Sequence, residues 1–254
     1  MSLNKEWCLV TGATSGVGKE FANYFGKKSY SLILTGRREK ELKILKEELE
    51  SSYMIEVLLI IGEFCDDETI NKLLFVAKNR NIKYLVNNVG YGNEKTFFKQ
   101  NIEESLKMIK VHIDSTIKIC HELIPLMQEE SYVLNVSSLA GMLPTSYNHI
   151  YAATKSFLIT FSESLSLSLI ERKIKVKVII PGFVKSDFHR YTKIKKRHSF
   201  FWMDSARLVE LTFKELKKEN VLLVPGRLNK IVYFLIKIIP KKVLYYFLKR
   251  EKEL

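Results

Sequence analysis

The sequence predicts an α/β fold, a doubly wound parallel sheet of about seven strands with helices on both faces and a helical C-terminal extension. Three observations point there. Short apolar, β-branched runs alternate with longer amphipathic stretches along most of the 254 residues. Runs such as "VLLII" (57–61) stay apolar at every position, as strands buried on both faces do. Glycine-bearing turns follow several of these runs, and open parallel sheets receive ligands beyond the carboxyl ends of their strands.

The elements follow in order. "WCLVTG" reads as a strand and "KEFANYFGKK" as the helix after it. "SLILTG" is a second strand, followed by the charged helix "EKELKILKEELES". "MIEVLLII" is a third, and "DDETINKLLFVAKN" opens as a helix with acids in its first turn, where the helix dipole favours them. "YLVNNVG" is a fourth strand, and residues 101–128 read as one long helix. "YVLNVSS" is a fifth strand, a helix spans roughly 149–171, "IKVKVIIPG" is a sixth strand and "VLLVPG" a short seventh. A further helix starts at Asp204.

Composition narrows the function classes. Apolar residues make up 46% of the chain, enough for a sizeable core, and 11 Gly with 5 Pro argue against a linker-rich protein. Cys8, Cys65 and Cys120 are too far apart for a zinc site or a disulfide scaffold, so no metal and a reducing, cytoplasmic setting are expected. "MSLNKEWCLV" is too short for a signal peptide. The net charge of +13 is uneven: residues 185–254 carry +11 and the first 184 only +2.

The turn Thr11-Gly12-Ala13-Thr14-Ser15-Gly16-Val17-Gly18 lies between the first strand and the first helix. Gly12 allows a tight turn, Gly16 lets backbone approach a phosphate, and Gly18 lets the helix pack on the sheet. With free N–H groups at the helix start, this suits a dinucleotide pyrophosphate. The domain is therefore Rossmann-type, residues 1–226, with 227–254 as a basic amphipathic extension. The second strand ends in Gly36-Arg37-Arg38, where NAD-preferring folds place an acid for the ribose 2′-hydroxyl. A guanidinium grips a 2′-phosphate instead, so NADP(H) is the expected cofactor, with Arg37 its ligand. Arg38 reads equally well as a solvated helix start.

Three further stretches complete a pattern: "NNVG" (87–90), "NVSSLAG" (135–141) and "YAATK" (151–155). With the glycine turn they resemble the short-chain dehydrogenase/reductase family, in order and spacing, over roughly residues 5 to 190. Ser138 precedes Tyr151 by 13 residues and Lys155 follows it by four. The resemblance implies that Ser138, Tyr151 and Lys155 are catalytic. It also implies that Gly12, Thr14, Ser15, Gly16, Val17, Gly18, Arg37, Asn88, Gly90, Tyr151, Lys155, Pro181, Gly182, Val184 and Ser186 contact the cofactor. Ser186 replaces the family's usual Thr, and Glu63 stands where an Asp near the adenine is common. The family also assembles as dimers or tetramers, so a homo-oligomer is expected.

The chemistry has its own logic. Tyr151 and Lys155 share a helix face. A phenol of pKa about 10 is brought down by a neighbouring ammonium, which lets Tyr151 exchange a proton with a carbonyl or alcohol oxygen. Ser138 can hydrogen-bond the same oxygen. One departure stands out: the family carries Asn in Met-x-x-Val-Asn, whereas "MIKVH" puts His112 there. Either His112 keeps a proton relay and adds a pH dependence near its own pKa, or it only packs.

Tyr191, Phe200, Phe201 and Trp202 suit an apolar lid, and Met142, Leu143, Pro144 and Tyr147 fall near the reacting carbonyl. The substrate expected is an apolar ketone or alcohol: steroid-like, fatty acyl or another lipophile. In the tail, Pro240 splits two short apolar segments interleaved with Lys and Arg. Neither can span a bilayer. Contact with a membrane surface, an oligomer interface and a clasp over the cleft are the alternatives, and nucleic acid is not expected. The function read from all this is NADP(H)-dependent carbonyl–alcohol interconversion, ketoreductase-like. The alternative is a catalytically quiet NADP-binding sensor or docking module.

Overall fold

β1 (Glu6–Val10) sits mid-sheet because both of its faces are apolar: Cys8, Leu9 and Val10 are wholly buried. In the computed structural model, which describes residues 5–93, 95–185 and 202–250 (side chains to 246), it is followed by α1 (Gly16–Gly26), β2 (Ser31–Gly36), α2 (Glu39–Tyr53), β3 (Val57–Ile61), α3 (Asp67–Lys78) and β4 (Asn81–Asn87). Then come α4 (Ile102–Ile109), α5 (Ser115–Leu123), β5 (Tyr132–Val136), α6 (His149–Ser168) and β6 (Lys175–Ile179). After these lie β7 (Val184–Lys185), β8 (Met203–Asp204), α7 (Ser205–Glu215), β9 (Leu222–Leu223), α8 (Arg227–Ile238) and α9 (Lys241–Arg250).

Seven strands form one sheet in the order β3-β2-β1-β4-β5-β6-β9, all neighbours parallel. Chain direction along the sheet reverses between β1 and β4, and that crevice is where such sheets bind ligands. Register aligns the strand ends: Val10 pairs with Val86, Asn87 with Asn135, and Val136 with Ile179. The glycine turn, "NNVG", Ser138 and Pro181 therefore meet at one edge.

One face of the sheet packs on α1, α2 and α7 through Phe21, Phe25, Leu45 and Val209; the other packs on α3, α5 and α6 through Leu73, Ile119, Leu123 and Leu165. Phe25 is fully buried, so truncating it to Ala would cost about 3–5 kcal/mol.

The long helix expected over 101–128 is interrupted. Lys110–Asp114 form a π turn between α4 and α5, and a 3₁₀ turn at Ile124–Leu126, containing Pro125, ends the run. Ser115 Oγ donates to Val111 O (2.7 Å) and Thr116 Oγ1 to His112 O (2.9 Å). These hydroxyls satisfy carbonyls that the wide turn leaves loosely bonded. A second small sheet, β7 paired with β8, has no counterpart in the sequence reading.

Candidate active site

The first site element is the loop from β1 into α1. Gly12 and Gly16 have φ of +70° and +55°, a left-handed backbone that favours glycine. A Cβ on Gly18 would lie 2.2 Å from Gly12 O, so only glycine lets α1 start this close to the turn. Ser15 is the N-cap, yet its side chain makes no capping hydrogen bond, and no acid stands in the first turn of α1. The helix start thus offers N–H groups and positive potential to an anion.

The loop is tied down on both sides. Gly12 N–H donates to Thr35 Oγ1 (3.2 Å) and Ala13 N–H to Thr35 O (2.8 Å). Asn88 Nδ2 donates to Thr11 O (2.9 Å) and Gly12 O (3.2 Å). The Asn88 side chain thus braces the glycine turn, and the backbone of Asn88, the part expected to line the cofactor, stays beside it. Arg38, not Arg37, reaches the loop: its guanidinium donates to Thr14 Oγ1 at 3.1 Å. Arg37 lies 3.7 Å from the Glu63 carboxylate. Lys107, Cys65 and Arg37 hold that carboxyl below its ordinary range, Lys107 most strongly.

The second element is α6. Its buried stripe is Tyr151, Ala152, Lys155, Leu158, Ile159 and Ser162, spaced to face the sheet. Ser138 ends the segment after β5; its Oγ accepts from Ala140 N–H (3.1 Å) and hydrogen-bonds the Tyr151 phenol. Ser137 Oγ donates to Lys155 O (2.6 Å), which fixes α6 against that segment. The Lys155 amine donates to Val136 O at 2.8 Å and lies 5.6 Å from the centre of the Tyr151 ring. Ser138, Tyr151 and Lys155 are thus brought together at the strand ends.

The electrostatics differ from expectation. A phenol made acidic by its neighbouring amine was anticipated. Burial instead pushes Tyr151 up to about 12, with the Ser138 hydrogen bond pulling the other way, and burial pulls Lys155 down to about 8. Desolvation of each charged form outweighs their mutual attraction, so the phenol holds its proton at neutral pH.

His112 projects from the π turn and is almost wholly buried. Its Nε2 accepts from Tyr91 N–H (3.0 Å); its Nδ1 lies 2.8 Å from Thr154 Oγ1, which itself donates to Tyr151 O (2.8 Å). The threonine proton is spent on Tyr151 O, so Nδ1 must carry the imidazole proton. Burial, reinforced by the Lys155 charge, holds the ring well below its ordinary pKa. A titration near neutrality does not follow from this geometry: both ring nitrogens are occupied by the neutral tautomer. The π turn that presents the ring, and the Thr154 bridge, were missed; only the Ser-Thr pair at 115–116 hinted at an irregular helix.

Gly90 adjoins both groups. A Cβ there would sit 3.1 Å from His112 Nε2 and 3.3 Å from Lys155 Nζ, so glycine keeps open the space beside the amine. Asn148 joins the loop after β4 to the start of α6, its Oδ1 accepting from Asn93 N–H (2.9 Å). Gly182 packs under the Asn229 side chain, and Pro181 O accepts from Leu139 N–H (2.9 Å). Val184 is buried on β7, and Phe183 meets Trp202 at a ring separation of 5.4 Å. Ser186, Tyr191, Phe200 and Phe201 lie outside the described residues. Among the described residues, no cluster of His, Cys, Asp or Glu could hold a metal ion.

The uncapped, acid-free α1 start, the arginines after β2 and the open space at Gly90 fit a nicotinamide dinucleotide, whose pyrophosphate residues 12–18 would hold, with Arg37 and Arg38 available to its adenosine ribose and Lys155 to its nicotinamide ribose. Comparison with known proteins agrees. A family model described as short chain dehydrogenase matches residues 6–197. The very-long-chain 3-oxoacyl-CoA reductases of Rattus norvegicus and Homo sapiens are each 31% identical over 197 residues, 75% of this chain and 62% of theirs. The chain therefore spans less than two thirds of the length of these relatives. A solved structure from work on 7β-hydroxysteroid dehydrogenase stereoselectivity superposes with a TM-score of 0.87 at 20% identity, covering 96% of both chains. A Sphingobium yanoikuyae short-chain dehydrogenase in complex with NADPH gives 0.80 at 20% identity, covering 93% of this chain and 96% of that one. At such identities the structural likeness establishes the fold.

Proposed function

The chain belongs to the short-chain dehydrogenase/reductase family, and we propose that within it this protein is an NADP(H)-dependent reductase of a carbonyl on an apolar substrate, a long-chain 3-oxoacyl thioester being the preferred class. The observation that carries the reading is the meeting of Ser138, Tyr151 and Lys155 at the carboxyl edge of the sheet. When bound, the nicotinamide supplies the hydride, or accepts it in the reverse direction.

The protein's own groups do the rest. Ser138 Oγ and the Tyr151 hydroxyl are hydrogen-bonded to each other, so both can reach one substrate oxygen. Tyr151, held up to about 12, is protonated at neutral pH and gives its proton to that oxygen as charge develops. Ser138 stabilises the same charge by a hydrogen bond. Lys155, brought down to about 8 and aimed by Val136 O, is still mostly ammonium at neutral pH and steadies the phenolate that remains. His112 ties Tyr91 N–H to Thr154, which bonds the Tyr151 carbonyl, as a neutral positioning residue.

NADP(H) is favoured by the two arginines after β2 and the absence of an acid there. Arg38 already lies against Thr14 of the phosphate loop, whereas Glu63 draws on Arg37. The apolar substrate class is supported by the names of the similar reductases and by the apolar side chains Met142 and Leu143, which follow Ser138, and the Phe183–Trp202 pair after β6.

The test is cofactor oxidation by the purified protein with NADPH and NADH, across short ketones, steroid ketones and 3-oxoacyl thioesters of rising chain length. The reading expects NADPH turnover that improves with acyl length. NADPH binding without turnover of any carbonyl would favour the quiet sensor instead.

A further inference from the structure

α8 turns its apolar stripe away from the protein. Ile231, Phe234, Leu235 and Ile238 recur at helical spacing, which ordinarily faces a core. Here they are 56%, 60%, 44% and 56% exposed, and Val243, Tyr245 and Tyr246 of α9 are exposed as well. The helix is held from its other side. Tyr233 packs on the core cluster of Ile159, Val178, Ile180 and Val224, as Leu139 and Met142 do, Asn229 Nδ2 donates to Pro225 O (2.7 Å), and Lys230 pairs with Glu215. The outward stripe is therefore a fixed feature of the folded chain.

Charge identifies what covers it. Between Asn220 and Arg250 the sequence holds seven Lys and Arg and no Asp or Glu. Arg227, Lys241 and Lys242 are exposed and make no ion pair among the described residues. A second copy of this chain across a twofold interface would set like charges against like. A nucleic acid would leave the phenylalanine and isoleucines without an apolar partner. An anionic bilayer surface satisfies both parts, acyl chains for the stripe and headgroups for the cations. Among the described residues no helix is long and apolar enough to cross a membrane, so the contact is with one surface.

We propose that α8 and α9 dock this protein on an anionic lipid surface, with Ile231, Phe234, Leu235 and Ile238 in the acyl boundary and Arg227, Lys241 and Lys242 among the headgroups. The docked helix bears directly on the catalytic segment, because α8 contacts the turn Leu139–Met142, just past Ser138. A substrate dissolved in the lipid would meet the mouth without first crossing water.

Flotation of the full chain with vesicles tests this, using phosphatidylcholine alone or phosphatidylcholine with phosphatidylserine. Binding is expected to the mixed vesicles, to weaken with salt, and to be slight with phosphatidylcholine alone. Lys241→Gln with Lys242→Gln should weaken it about 25-fold, from about fivefold for each cation near the surface. Phe234→Ser with Ile238→Ser should abolish it, while both double variants keep the wild-type circular dichroism and melting temperature. Equal binding to neutral vesicles, or undiminished binding by either variant, would overturn the proposal. So would absence of vesicle binding with a wild-type dimer that Phe234→Ser and Ile238→Ser dissociates, which would make the stripe a subunit interface.

Discussion

Replacing His112 with Asn changes stability by an amount that depends on pH. The shorter side chain cannot reach both Tyr91 N–H and Thr154 Oγ1, which His112 bridges at 3.0 and 2.8 Å. Leaving Tyr91 N–H without an acceptor costs about 1–3 kcal/mol, and the second hydrogen bond about 1 kcal/mol more. At pH 8 the variant should thus be about 2–4 kcal/mol less stable. The folded ring is held well below its ordinary pKa by burial. The unfolded chain therefore takes up a proton near pH 6.5 that the folded chain refuses. Wild-type stability is full above that pH and falls as the pH drops through it, by up to about 1.4 kcal/mol at pH 5.5. Asn has no such proton, so the gap between the two proteins should narrow by about that amount. Urea unfolding of both at pH 8 and pH 5.5 measures it. A gap that is the same at both pH values would refute the buried neutral ring, and no gap at pH 8 would refute the bridge.

Two further outcomes follow from the same geometry. Arg37→Ala with Arg38→Ala should raise KM for NADPH roughly ten- to a hundredfold, the worth of charge-assisted hydrogen bonds, and leave KM for NADH unchanged; initial rates with each cofactor give the ratio. Lys155 is depressed to about 8, so it loses its proton above that pH. The kcat/KM of the wild type, which reports free-enzyme groups, should decline above about pH 8, a limb absent from the residual activity of Lys155→Met.

Much of this architecture was legible in the sequence because its signals are local. Strand runs, the glycines at 12, 16 and 18 and the Tyr151–Lys155 spacing lie within a few residues of one another, and backbone sterics fix what they mean. Ser138 was legible through the family resemblance, whose pattern sets it 13 residues before Tyr151. The parts that escaped are set by partners far away in the chain. Arg38 meets Thr14, Asn88 braces Thr11 and Gly12, and His112 reaches Thr154 only once the sheet has formed. The tyrosine's pKa failed for a related reason. The i,i+4 ammonium is visible in sequence, whereas the burial that outweighs it belongs to the folded interior. β7 and β8, two residues each, are too short to show any periodicity.

The phenol as proton donor is the claim on which the rest depends, and Tyr151→Phe tests it most directly. The ring is retained and only the hydroxyl is lost. Carbonyl reduction by the variant should fall by about 10²–10⁴ in kcat, the usual worth of a general acid, while NADPH still binds with wild-type affinity by fluorescence titration. A Tyr151→Phe protein that reduces its ketone within a few-fold of the wild-type rate would contradict the account.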